Sequence, residues 1–261
     1  MGRRIVITSG KGGVGKTTVT ANLGLALTFT GAKVVVVDAD ISLNNLDLVL
    51  ELENHVIYDI GDLIAGQCTI KDAIVSDYRN EGLFLLPSSK ISLDKMTLYQ
   101  FSSVVSELSN IFDYVLVDSP AGIDNGFHIS VQSCHEAIIV TTPHISALRD
   151  ANKVANIITQ YRLSNVNLVV NRIRADMVQN GNMIEAKEIS ELLRIPLIAT
   201  LPDDDEISIS GLIKNPNGAR ITEKAYKAFA KNVLLNSHEL YDCEKQGVSI
   251  FSRFFKIKGK K

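Results

Sequence analysis

A glycine-rich segment near the start of the chain has the residue types and spacing needed to hold a polyphosphate. Residues 10–17 read Gly-Lys-Gly-Gly-Val-Gly-Lys-Thr and match the pattern G-x-x-x-x-G-K-[ST]. Glycines let phosphate oxygens approach backbone N–H groups and permit the unusual backbone angles of such a loop. We expect Lys16 to neutralise the β- and γ-phosphates and Thr17 to place its hydroxyl on Mg²⁺. The predicted nucleotide-binding residues here are Gly10, Lys11, Gly12, Gly13, Val14, Gly15, Lys16, Thr17 and Thr18.

Three aspartates could complete this chemistry. Asp118 ends an apolar run that starts at Tyr114, so it lies at the carboxyl end of a predicted strand, where open α/β sheets bind ligands. We expect it to hold Mg²⁺ through a water molecule. Asp38 and Asp40 follow another such strand and could orient the attacking water, with Asp40 also near the metal. The structural alternative is that these carboxylates cap turns.

Short apolar runs alternate with amphipathic stretches along the chain. The runs have no period-two pattern, which is typical of strands buried on both faces of a parallel sheet. The sequence therefore predicts a doubly wound α/β fold, with a mainly parallel sheet and helices on both faces. The predicted strands are Ile5–Thr8, Lys33–Asp38, Leu83–Leu86, Tyr114–Asp118, Ala137–Thr141, Val166–Val170 and Leu197–Leu201, and the predicted helices are Lys16–Thr30, Asp94–Asn110, Ala147–Tyr161, Ile184–Arg194 and Ile221–Ser237.

The end of the chain differs in charge from the rest. Residues 1–244 carry a net charge of −8, whereas the last 17 residues carry +6. On a helical wheel, residues 248–258 separate into an apolar face and a polar, basic face, with Lys258 alone intruding on the apolar one, and their length of about 16 Å is too short to cross a bilayer. We predict a domain over residues 1–243 and a flexible basic tail over 244–261, whose amphipathic helix binds anionic membrane lipids, although an apolar stripe can also pack on its own domain. The predicted membrane-binding residues are Val248, Ile250, Phe251, Arg253, Phe254, Phe255, Lys256, Ile257 and Lys258.

Composition excludes several other classes of protein. The chain has 261 residues, is 46% hydrophobic and is almost neutral overall, which excludes a wholly disordered chain. Its apolar runs fall short of the ~20 residues that a transmembrane helix needs. Three scattered cysteines and five histidines show no disulfide or metal-ligand spacing and favour a reducing cytoplasm.

The additional lysine at position 11 resembles the deviant Walker A box of the MinD/ParA family of dimerising ATPases. Further motifs, in matching order and spacing from about residue 3 to the tail, resemble the MinD branch, the cell-division site-selection ATPases. These motifs are Asp38–Ile41, Asn45–Asp47, Val56–Asp59, Leu85–Pro87, Asp118–Ile123, Asn171–Arg174, Asp176–Met177 and Leu201–Asp204.

The resemblance implies an ATP-bound sandwich dimer that attaches reversibly to the inner face of the cell membrane. There it would recruit the division inhibitor MinC, and a MinE-type or other topological activator would stimulate hydrolysis and release. By the same resemblance, Lys11 would reach the nucleotide of the other subunit, and Asp40 would orient the attacking water with support from Asp38. The residues expected around the adenine are Asn171, Arg172, Pro202 and Asp203.

The chain departs from the family pattern at surfaces that contact partners. Typical members have Gly and Arg where this chain has Ser42 and Asn44, and an acid where it has Asn152. Three other functions remain as alternatives: a MinD-like regulator of flagellar number or placement, a ParA-type DNA-partition ATPase, and a scaffold that binds ATP without turnover. The acidic body and the phenylalanine-rich basic segment favour lipid over DNA, so no specific nucleic acid is expected.

Overall fold

The computed structural model describes residues 1–40, 44–89 and 97–244, and this part of the chain contains an eight-stranded sheet. The strand order is β3-β4-β2-β5-β1-β6-β7-β8, in which β3 is antiparallel to β4 and every other pair is parallel. The strands are β1 (Arg3–Thr8), β2 (Val34–Asp38), β3 (Val75–Ser76), β4 (Leu83–Leu86), β5 (Tyr114–Asp118), β6 (Glu136–Thr141), β7 (Asn165–Ile173) and β8 (Leu197–Pro202).

Helices connect the strands and cover both faces of the sheet. Within the described ranges the α-helices are α1 (Lys16–Thr28), α2 (Leu46–Val49), α3 (Ile60–Ile64), α4 (Ile70–Ala73), α5 (Leu98–Leu108), α6 (Asn125–Gln132), α7 (Ile145–Ile158), α8 (Ala175–Gln179), α9 (Ala186–Leu193), α10 (Asp205–Ser210) and α11 (Ile221–Leu235). A 3-10 turn lies at Glu53–His55. The predicted doubly wound fold is confirmed.

The valine run of β2 shows why the predicted strands lack alternation. Val34 and Val36 point into one hydrophobic cluster with α1 and α11, while Val35 and Val37 point into another with α5, α6, α7 and α9. Successive side chains of a strand face opposite ways, so a strand covered on both sides must be apolar at every position.

The smallest elements have no signal in the sequence. β3 has only two residues and pairs Val75 with Leu85, which is too short to give a periodic signal. The helix predicted from Asp94 begins at Leu98 in the described chain, after Thr97, whose hydroxyl accepts a hydrogen bond from the backbone N–H of Gln100. The Asp94 start of that prediction lies outside the described residues.

The last described residues run beside β8. Thr200 donates its hydroxyl to the carbonyl of Tyr241 at 2.6 Å, and the backbone N–H of Ala186 donates to Glu244 Oε1 at 2.7 Å. No helix in the described ranges is long and apolar enough to span a membrane. The predicted membrane-binding residues 248–258 lie outside the described residues.

Candidate nucleotide site

The glycine-rich segment forms the turn between β1 and α1. Gly13 and Gly15 adopt left-handed φ values of 79° and 91°, which glycine accepts without a steric penalty. A Cβ atom on Gly15 would lie 2.5 Å from Nδ2 of Asn171, and the same Nδ2 donates a 2.9 Å hydrogen bond to the carbonyl of Val14. A Cβ on Gly13 would instead project into open space. Asn171 therefore contacts the loop on one side, at Val14 and Gly15, whereas the loop faces open space at Gly13.

Lys16, Thr17 and Thr20 converge on Asp118. The Lys16 ammonium lies 2.9 Å from Oδ1 of Asp118, and the Thr17 hydroxyl donates to Oδ2 at 2.7 Å. The Thr20 hydroxyl lies 2.9 Å from Oδ1. The first turn of α1 and the end of β5 therefore form one charged cluster, although 101 positions separate Thr17 from Asp118. Sequence reasoning missed Thr20, because only the packing of α1 on the sheet reveals its partner.

Asp38 lies opposite Asp118, at paired positions of β2 and β5. Its side chain accepts hydrogen bonds from the backbone N–H groups of Asp40 at 2.9 Å and Leu46 at 3.2 Å. Burial raises the pKa of Asp38 to about 7, and the neighbouring charge of Asp118 adds to this shift, while both hydrogen bonds and Lys16 oppose it. Asp40 is also buried. The structure therefore brings all three predicted carboxylates to the carboxyl edge of the sheet.

Lys11 lies on the outer side of the loop. Its ammonium group is exposed and donates a 3.1 Å hydrogen bond to the hydroxyl of Ser146, in the first turn of α7. Lys11 is thus separate from the buried Lys16 cluster.

A cavity of about 390 Å³ opens beside the loop. It is bounded by Gly15 and Thr18 and by all four residues predicted around the adenine, namely Asn171, Arg172, Pro202 and Asp203. Arg172 has a φ of 58°, in a stretch of β7 where the pairing with β8 shifts register. Such irregularities redirect side chains at the ends of strands.

Several further residues, which no sequence motif marks as part of a site, also line this cavity. They include Asn45 from the N-terminus of α2, Ser208 from α10, and Thr222 and Tyr226 from α11. No local signal marks these positions, because they come from helices far apart in the chain. Asp204 was part of a family motif, and its place at the cavity wall could have been inferred from its neighbour Asp203.

The residues present fit a magnesium-bound nucleotide. The described residues hold no group of three or more His, Cys, Asp or Glu side chains suited to a metal ion. Mg²⁺ bound with a nucleotide needs few protein ligands, since it retains waters and takes phosphate oxygens. Thr17 and Asp118, whose oxygens lie 2.7 Å apart, would supply the hydroxyl and the water-binding carboxylate for such a site.

Of the positions that depart from the family pattern, Asn44 lies next to this chemistry, because its backbone N–H donates to the carbonyl of Asp40 at 2.8 Å. Asn44 adopts a left-handed φ of 44° shortly before α2, and Asn152 is exposed on α7. Ser42 lies outside the described residues.

Comparisons with known proteins agree with the geometry. Residues 5–216 match the CobQ/CobB/MinD/ParA nucleotide binding domain family. A septum site-determining protein MinD from Synechocystis is 50% identical over 211 residues, which cover 80% of this chain and 79% of that protein.

Two solved structures are similar over most of the chain. A MinC:MinD cell division protein complex from Aquifex aeolicus contains a chain with a TM-score of 0.81 and 38% identity, covering 90% of this chain and 96% of that one. The MinD protein of Pyrococcus horikoshii complexed with Mg-ADP has a TM-score of 0.78 and 32% identity, covering 89% and 96%. The resemblance seen in the sequence is confirmed, and the chain belongs to the MinD branch of the MinD/ParA family of nucleotide-binding ATPases.

Proposed function

We propose that the chain is a Mg²⁺-dependent ATPase that dimerises around ATP, binds the inner face of the cell membrane reversibly, and recruits a MinC-type inhibitor to help place the division septum. The observation that carries this proposal is the cluster of Lys16, Thr17 and Asp118 beneath an open glycine loop, next to a cavity of nucleotide size. Membership of the MinD branch supports the same function.

Lys16 would bind the phosphates without leaving its carboxylate partner. An ammonium group has three N–H donors, so one can remain on Asp118 while the others reach phosphate oxygens. Backbone N–H groups of the loop and the positive end of the α1 dipole would bind the remaining phosphate charge. The bound Mg²⁺ would neutralise charge on the transferring phosphate, held by the Thr17 hydroxyl and by Asp118 through water.

Hydrolysis would use the carboxylates that follow β2. Asp40 would orient the attacking water, and Asp38 would hold the backbone of Asp40 through their 2.9 Å hydrogen bond. Lys11 would act across the dimer on the nucleotide of the other subunit. Its present bond to Ser146 is exposed, so reorienting the lysine breaks no buried contact. A cation supplied by the second subunit lowers the barrier electrostatically and thereby couples dimerisation to turnover.

The tail would couple the nucleotide state to the membrane. The sequence after Glu244 carries +6 and three phenylalanines, a composition suited to an anionic lipid surface. One short anchor binds weakly, whereas two anchors in one dimer bind about 10²–10⁴-fold more tightly. ATP would therefore place the protein on the membrane, and hydrolysis stimulated by a MinE-type or other activator would return it to the cytoplasm.

Co-sedimentation with anionic liposomes tests this function. We expect the full chain to pellet with vesicles in Mg-ATP but not in Mg-ADP, and a chain ending at Glu244 to stay in solution with either nucleotide. A MinC protein added to the mixture should pellet only with the full chain and ATP. Equal pelleting with ATP and ADP would refute the nucleotide switch, and ATP-dependent binding to duplex DNA in place of lipid would favour a ParA-type partition function.

A further inference from the structure

Helix α10 forms one wall of the nucleotide cavity, and of its residues only the half-buried Ile207 packs against the hydrophobic core. Ile207, Ser208, Ile209 and Ser210 all line the cavity. None of the six residues of α10 is buried, and the side chain of Ile209 is 88% exposed. Packing of apolar side chains fixes most helices of this size, so a helix with one half-buried apolar contact depends largely on its ends for its position.

The start of α10 is tied to α11 through Asp204. The Asp204 carboxylate caps α10 by accepting from the backbone N–H of Glu206 at 2.9 Å. It also accepts two 3.1 Å hydrogen bonds from the Arg220 guanidinium and one from the Thr222 hydroxyl. These donors hold the pKa of Asp204 below its usual range against the opposing effect of burial, so the carboxylate is charged at neutral pH.

The end of α10 is tied to α1 through Asn22. The Asn22 side chain is fully buried. Its amide donates to the carbonyl of Gly211 at 2.7 Å and to that of Thr18 at 2.8 Å, and its oxygen accepts from the backbone N–H of Ile213 at 2.7 Å. Two of these three hydrogen bonds, those with Gly211 and Ile213, connect α1 to the segment after α10, and the third lies within α1.

We propose that Asn22 and Asp204 are positioning residues that hold α10 over the nucleotide cavity and thereby determine the affinity contributed by the nucleoside part of the ligand. This inference rests on the proposed nucleotide binding. The phosphate cluster around Asp118 uses neither side chain, and the helical hydrogen bonds of α1 hold Thr18 without Asn22. Loss of an anchor should therefore weaken binding of a nucleotide but leave binding of its phosphates alone unchanged.

Competition against a fluorescent ADP analogue, in excess Mg²⁺, measures the affinity for the whole nucleotide and for its phosphates alone. ADP and inorganic pyrophosphate are the competitors, since neither supports the ATP-dependent dimer. We expect Asn22→Ala to raise the Kd for ADP about tenfold, the factor that corresponds to one net buried hydrogen bond, and to leave the Kd for pyrophosphate unchanged.

Asn232→Ala is the matched control. Asn232 is also a buried asparagine that donates to two carbonyls, those of Ile198 and Glu239, but it joins α11 to β8 and lies away from the cavity. Both changes should lower the Tm, whereas only Asn22→Ala should lower the preference for ADP over pyrophosphate. The proposal is overturned if both variants lower that preference equally, or if Asn22→Ala weakens ADP and pyrophosphate by the same factor.

A second pair of variants tests the Asp204 anchor with substitutions that create no large cavity in the domain. Thr222→Val keeps the shape of the side chain and removes one donor to Asp204, while Asp205→Asn changes an exposed aspartate that does not line the cavity. We expect a weaker ADP affinity in the first and wild-type affinity in the second; unchanged ADP affinity in Thr222→Val would overturn the role of Asp204. A wild-type chain that bound no ADP would instead contradict the proposed function itself.

Discussion

Replacement of Lys16 by methionine should reduce the stability of the nucleotide-free domain as well as its affinity for ATP. The side chains of Lys16 and Asp118 are only 6% and 1% exposed, and their ion pair is 2.9 Å long. Asp38 lies at the position paired with Asp118 on the adjacent strand. Methionine approximates the length of lysine but leaves two buried carboxylates beside each other without the ammonium group.

The expected loss is large for a single substitution. Removing one partner of a buried ion pair costs about 3–5 kcal/mol, and each kcal/mol lowers the Tm of a domain of this size by about 2–4 °C. We therefore expect a fall of roughly 10 °C at pH 8. The double variant Lys16→Met/Asp118→Asn should recover most of it, because the uncompensated charge is gone. Lowering the pH to 5 should also reduce this loss of Tm, because Asp38, whose pKa burial raises to about 7, then takes up a proton.

Thermal unfolding followed by circular dichroism measures this effect, with nucleotide absent throughout. Lys153→Met is the control, because its pair with Asp150 is exposed and is expected to contribute less than about 1 kcal/mol. A fluorescent ATP analogue should fail to bind to Lys16→Met and also to Lys16→Met/Asp118→Asn, because both lack Lys16. Adding Asp118→Asn should therefore restore the Tm without restoring ATP binding. If Lys16→Met unfolds at the wild-type temperature, the buried pair does not have the energetic role inferred from its geometry.

The remaining predictions concern turnover, pH and the loop. Asp40→Ala should keep ATP-dependent liposome binding but lose ATPase activity, measured as phosphate release; normal hydrolysis would exclude Asp40 as the residue that orients water. The pKa of Asp38 is about 7 in the folded chain against an ordinary value of 3.8, so the folded chain keeps a proton that the unfolded chain releases as pH rises from about 4 to 7. Asp38 therefore lowers stability progressively across that window, and Asp38→Asn should remove this slope from denaturant midpoints measured between pH 4 and 8. Gly15→Ala should abolish binding of fluorescent ATP, because its left-handed φ of 91° and the 2.5 Å approach to Asn171 leave no room for a Cβ; retained affinity would show that the loop can rearrange.

Local patterns identified most of the strands and the phosphate loop in advance. The four consecutive valines of β2 predicted a strand covered on both faces, and the loop spacing placed a helix start at Lys16, as observed. Both patterns consist of residues that are neighbours in the chain, so they can be recognised in the sequence without knowledge of the fold. The antiparallel edge strand Val75–Ser76 and the eight-residue α6 gave no comparable signal, because elements this short are selected by their packing against the rest of the fold.

The residues expected around the adenine were named from family motifs, and their meeting in one cavity could not have been worked out from spacing. Asn171 and Pro202 belong to β7 and β8, whereas Gly15 precedes α1. Only the order of strands in the sheet, with β1 between β5 and β6, brings these segments to one edge. The proposed role of Asn22 gave no signal in the sequence, since a buried asparagine in a helix looks like any polar residue until its partners are known. The motif that contains Asp204 does not reveal its hydrogen bonds with Arg220 and Thr222.

The amino-acid sequence alone was sufficient to determine the α/β class, the phosphate-binding chemistry and the family, because short-range spacing and side-chain type encode all three. The tertiary structure decided that Lys16 pairs with Asp118, that Asp38 carries a raised pKa, and that α10 is held at both ends. These properties depend on burial and on contacts between residues that are not neighbours in the chain, such as Lys16 with Asp118 and Asn22 with Gly211, which are 102 and 189 positions apart. They arise when parallel crossovers bring the ends of distant strands together, and chain-local patterns do not record such contacts.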